Sequence, residues 1–123
     1  MSEVKQFTRI ATDAAGRSIF EDDGFPVDAV QGATGMFTGT VPAASAVVYV
    51  RHDTWEVRAH PAPHNAPRRQ WLVLLRGTVE VEVTDGSRRT FGPGDLLRAE
   101  DTGGAGHITR PIDLPVEGLF LPG

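Results

Sequence analysis

"HPAPHNAPRRQWLVLLRG", residues 60 to 77, sets two of the chain's four histidines in a proline-studded segment and runs into an apolar stretch that stops at Gly77. Pro61, Pro63 and Pro67 fix φ and remove amide donors, which forbids a helix here and lowers the entropy lost in holding the segment open. Side chains alternate across an extended chain, so residues of equal parity share a face. His64, Ala66, Arg68, Gln70, Leu72 and Leu74 are therefore expected to point inward together. Downstream, "TVEVEVTDGSRRTF" (78–91) is the clearest hairpin: Val79, Val81 and Val83 alternate with Glu80 and Glu82, and Asp85-Gly86 supplies positive φ angles for a tight turn. The valines belong to a core and the glutamates to solvent. "FGPGD" reverses the chain again through Pro93 and Gly94. "TDAAGRS" (12–18) is a further reversal that makes the N-terminus a hairpin or an arm.

The remaining chain reads as β. Its 14 glycines and 9 prolines are scattered throughout, and almost no window repeats apolar residues at helical spacing over ten or more positions. Short strand-like runs such as "QFTRIA", "SIFED", "GMFTG", "SAVVYVR", "TWEVRA", "DLLRA", "GHITR" and "EGLFLP" are each bounded by turn residues, which suggests a sandwich or a barrel. With 123 residues and 40% hydrophobic content, the chain fits one domain with one core. Residues 1–44 are expected to form strands or an arm at a dimer interface, and 45–123 the body of the barrel. A homodimer is expected because a small β fold leaves edge strands to cover, and "FTRIATDAAGRSIF" (7–20) is suited to adding a strand to a neighbour.

Composition narrows the partners. A net charge of -4 gives no attraction to phosphate backbones, and Arg68-Arg69 and Arg88-Arg89 are too short to make a basic stripe, so nucleic acid is not expected. No apolar run approaches bilayer length and no secretory leader is visible in "MSEVKQFTRI", so a cytoplasmic protein without membrane contact is expected. With no cysteine, any metal must be held by nitrogen and oxygen.

Two glycine-punctuated blocks, "HNAPRRQWLVLLRG" and "GPGDLLRAEDTGGAGH", resemble the motifs of the cupin superfamily. In the first, Gly77 closes the block, and six residues separate it from Gln70, which stands where the family has a glutamate. Ala66 holds the place of the second histidine and His64 that of the first. The second block opens at Gly94 and ends at His107; Thr102 replaces its proline and Pro111 its final asparagine. The resemblance covers roughly residues 45 to 121. It implies an all-β double-stranded β-helix, or jelly-roll barrel, in which the histidines and the carboxylate position converge on one divalent metal.

Here the ligand set is His64, His107 and the neutral amide oxygen of Gln70. His60 adds a third nitrogen if it bends inward across "PAP"; otherwise it is a solvated surface residue. Three histidines and a glutamine can hold Zn, Fe, Mn or Ni with an open position, whereas the smaller set leaves a metal-free pocket. Arg68 is expected in the pocket as the cation that reads an anionic substrate, with Leu72 on the same wall. Glu100-Asp101 is close enough in sequence to His107 for acid-base work, but charged residues in "AEDTGG" are read as capping and solubility. His52 is expected to be exposed, and Trp55 and Trp71 to pack in a core or interface. Two functions follow. One is a metal-dependent enzyme oxidising, isomerising or cleaving a small polar organic acid; the other is a metal-free module that binds a small molecule without catalysis. A metal-free enzyme with His64 or His107 as proton shuttle, as in some sugar-nucleotide epimerases of that fold, lies between them.

Overall fold

A computed structural model describes residues 2–32, 34–41, 46–55 and 62–123. Branched and aromatic residues alternating with polar ones favour pleated strands, and the described chain forms eight of them. These are β1 (Ser2–Thr12), β2 (Ser18–Ala29), β3 (Phe37–Thr38), β4 (Val48–His52), β5 (Gln70–Val83), β6 (Arg88–Phe91), β7 (Leu96–Ala99) and β8 (His107–Pro122). No helix occurs among the described residues, and none is long and apolar enough to cross a membrane. The strands make one mixed sheet in the order β3-β2-β1-β7-β5-β8-β4, with β6 also on β5. β1 and β7 run parallel; the other pairs are antiparallel. Among the described residues the ladder ends at β3 and β4 and does not return on itself.

Two runs that the sequence separates, "QWLVLLRG" and "TVEVEVT", are one strand. β5 is bulged instead of broken, with register shifts against β8 between Leu74 and Val79. Gly77 sits at that irregularity with φ +82, and a Cβ there would lie 2.4 Å from the Pro115 carbonyl oxygen and 2.7 Å from that of Asp113. Only glycine satisfies both demands. Before the bulge β5 is bonded to β7 and β8, after it to β6 and β8. β8 thus stays beside β5 on both sides of the bulge while β7 gives way to β6.

Parity decides what is buried on each side. Leu74, Val79, Val81 and Val83 join Ile10, Phe91, Leu97 and Val116 in one cluster, against which Phe20, Trp55 and Leu72 pack. Trp71 points the other way, into a second cluster with Phe7 and Leu96, its ring 4.6 Å from that of Phe7 in edge-on contact. Each such side chain contributes about 1.5–3 kcal/mol when fully buried. Residues 1–44 thus share a sheet with the rest of the chain: β1 pairs with β7 from Thr8↔Leu97 to Ile10↔Ala99 and supplies Phe7 and Ile10 to the two clusters.

The N-terminal reversal is a hairpin. Asp13 closes its loop by accepting the amides of Ala15 and Arg17 on Oδ1, and Gly16 takes φ +81. The Asp85-Gly86 turn differs from expectation in detail. Gly86 alone has positive φ, with its N–H on the Val83 carbonyl and the Val83 N–H on the Ser87 carbonyl, so this is a three-residue loop with a glycine bulge and not a two-residue turn.

Candidate functional site

Leu97 and Ala99 on β7 face inward, and the same parity carried past the strand end places Asp101 on that face, with no exposed surface. Burying a carboxylate is costly unless it is paired. The partners of Asp101 converge on one oxygen: the Ser18 hydroxyl donates to Oδ2 at 2.7 Å, and Nδ1 of His107 lies 2.5 Å from it. Ser18, itself without exposed surface, is held by its own N–H on the Thr84 hydroxyl at 2.7 Å. Oδ1 has no partner among the described residues.

The two motif histidines are fixed by backbone. His64 and His107 form an isolated bridge in which each N–H donates to the other's carbonyl at 2.9 Å, and the rings lie 4.9 Å apart. Gly106 permits it: φ is +84, and a Cβ would come within 2.4 Å of the His64 carbonyl. The loop before His107 is clamped from two sides. The Ala105 N–H reaches the Gly16 carbonyl at 2.7 Å, the Thr12 hydroxyl donates to the Gly103 carbonyl at 3.0 Å, and the Asn65 amide to that of Gly104 at 3.1 Å. The N-terminal hairpin turn is therefore part of the support for the histidine pair.

Beside the pair is a cavity of about 290 Å³. Its walls are mostly aliphatic and aromatic, with Ile10, Leu72, Leu74, Val81, Leu97 and Phe120 among them, and His52, His64, Gln70, His107 and Thr109 are among its polar residues. With Nδ1–H as the donor to Asp101, Nε2 is the ring nitrogen of His107 left to act in the cavity. His64 lines the cavity with part of its ring in solvent; partial desolvation first, and the neighbouring charge of His107 second, hold its pKa below the ordinary 6.5, with Asp101 opposing.

Of the residues singled out in the sequence, His64, Gln70, Leu72 and His107 line this cavity. His60 lies outside the described residues. Arg68 departs from the parity expectation: it is exposed, stands off the cavity wall, and donates Nε–H to Oε1 of Gln70 at 3.2 Å. The strand begins only at Gln70, so alternation does not extend back through "PRR". His52 is exposed, yet its ring stacks 4.6 Å from that of Trp55 and both reach the cavity rim.

Capping and solubility describe Glu100, which pairs with Arg9 at 2.7 Å and Arg98 at 3.3 Å. They do not describe Asp101, the residue that sequence reasoning passed over. The signal for it was the β7 parity, Leu97-Ala99-Asp101, continued by one step.

Whether these groups suit a resident divalent ion turns on the donors. Open catalytic sites use three protein ligands, and among the described residues no three of His, Asp and Glu come together. The amide oxygen of Gln70 already faces a guanidinium. Among the described residues the donors available to such an ion are the two imidazoles and that oxygen, and His60, the further nitrogen the sequence offers, lies outside them. Neither a protein-family model nor a curated protein matches the chain.

Proposed function

We propose that this chain is a cupin-type jelly roll that binds a small organic molecule in its cavity and shifts a proton on it with His107, without a metal. The partial cupin motifs, the all-β chain and the cavity that both motif histidines line support the fold reading. A homodimer joined through edge strands and a cytoplasmic setting belong to the same proposal; β4 ends the sheet with Val48 and Tyr49 exposed, which suits an edge that pairs.

Chemically, the base is the lone pair on Nε2 of His107. A proton leaves an acidic C–H or O–H of the ligand for Nε2, the resulting imidazolium is held by Asp101, and the proton returns at another atom. The net change is an isomerisation with no electrons gained or lost. His64 stays neutral beside it near pH 7, because its proton affinity is depressed, so the adjacent ring does not oppose the charge that forms.

The observation that carries this reading is the buried Asp101 on Nδ1 of His107. Asp101→Asn keeps the shape and removes the charge that selects the tautomer. Deuterium incorporation from D2O into a bound carbonyl compound is expected to fall by about 10²-fold or more in the variant, while ligand affinity changes little. Equal incorporation by both proteins contradicts the proposal. Binding without incorporation in the wild type favours the non-catalytic module, whose support is the predominantly apolar wall.

A further inference from the structure

We infer that the cavity takes an uncharged, largely apolar carbonyl compound of about two fused rings, with its oxygen held by the side-chain amide N–H of Gln70. This rests on the pocket reading above and replaces the small organic acid that the sequence suggests.

Three observations carry it. First, arginine has no acceptor, so the atom of Gln70 that meets Arg68 Nε–H at 3.2 Å must be the amide oxygen. Arg68 thereby fixes the amide flip, and the NH2 group is left for the cavity that Gln70 lines, with no acceptor on it among the described residues. A donor there reads a carbonyl oxygen. Second, among the described residues the cavity lining includes no lysine, arginine, aspartate or glutamate. A carboxylate entering it would lose its hydration without gaining a fixed cation. Third, an apolar cavity of about 150 Å³ takes one benzene ring, so the present volume of about 290 Å³ accommodates two.

In this pose the ligand's enolisable C–H gives its proton to Nε2 of His107. The C–H electron pair becomes the enolate, and the charge gathering on oxygen strengthens the bond from Gln70. Reprotonation at another atom gives the isomer, and at the same carbon it restores the ketone with exchange of its hydrogen.

Three compounds of one shape test it: 2-tetralone, tetralin, and tetralin-2-carboxylate, titrated calorimetrically at pH 8. The wild type is expected to bind the ketone about three- to tenfold more tightly than tetralin, the worth of one hydrogen bond, and the carboxylate at least tenfold more weakly than the ketone. Gln70→Leu should bind ketone and tetralin equally. Should that variant fail to fold, Arg68→Ala, a change at an exposed side chain, releases the amide and should shrink the ketone preference at least twofold. Tightest binding of the carboxylate, no binding of any of the three, or a ketone preference that survives both substitutions overturns the inference. Deuterium uptake at C1 of 2-tetralone is read separately: its loss with the ketone preference intact counts against His107 as the base and leaves the ligand class standing.

Discussion

Asp101 and Glu100 are neighbours in sequence with opposite environments. Oδ2 of Asp101 is shared by the Ser18 hydroxyl and His107 without access to solvent, whereas the Glu100 side chain keeps 25% of its surface exposed among arginines. Hydrogen bonds to a buried charge are worth about 1.5–3 kcal/mol, and partly exposed ion pairs about 0–1 kcal/mol. Urea unfolding should therefore show Ser18→Ala losing about 1.5–3 kcal/mol and Glu100→Gln about 1 kcal/mol or less; the reverse order contradicts the assigned roles. His64 gives a pH signature. Its pKa is lowered on folding by burial and by His107, with Asp101 acting against both. Between that lowered value and 6.5 the unfolded chain binds more protons than the folded one, so stability rises with pH through this window and falls as the solution is acidified below 6.5. Melts of the wild type from pH 8 to pH 5 should show this loss, and His64→Asn should lack it. The depressed carboxylates Asp13, Asp22, Asp23 and Asp85 act lower, since their contribution is present above 3.8 and is lost below it.

Among the elements, the ones legible in sequence carry their own local rule. The β5–β6 hairpin follows from valine alternation and a glycine turn, and the β1–β2 hairpin from Asp13 and Gly16. The unity of β5 was hidden, because Gly77 reads as a strand end when its role is a close approach to the Pro115 and Asp113 carbonyls across the sheet. That partner lies far along the chain, and no local pattern reveals it. Arg68 was misplaced for a related reason: proline-bounded chain does not keep strand parity. The histidine bridge depends on Gly106 in the same long-range way. Gly106→Ala adds a positive-φ penalty of about 1–2 kcal/mol to a backbone collision with His64. Gly86→Ala meets the same penalty with nothing within 4 Å. Unfolding experiments should rank Gly106→Ala as clearly the more destabilising, and only that variant should lose ligand affinity; equal effects contradict the bridge as the element that sets the pair.

At the scale of the whole molecule, the site is assembled from distant stretches. Ser18 comes from the start of β2, Thr84 from the β5–β6 loop, His64 from the segment before β5, and Asp101 and His107 from the two ends of the β7–β8 loop. All-β character was legible from local composition, and two of the histidines from the resemblance of their blocks to the cupin motifs. The Ser18–Asp101 contact was not, since it joins residues 83 positions apart through the sheet order. The central claim is that this assembly holds His107 as the Nδ1–H tautomer, with Nε2 free to act and no metal on it. The most direct measurement is the long-range ¹⁵N–¹H spectrum of the imidazoles at pH 8, recorded before and after treatment with EDTA. The expected result is a His107 ring protonated at Nδ1, unchanged by the chelator and lost as a pure tautomer in Asp101→Asn. Protonation at Nε2 in the wild type, or a spectrum altered by EDTA, contradicts it.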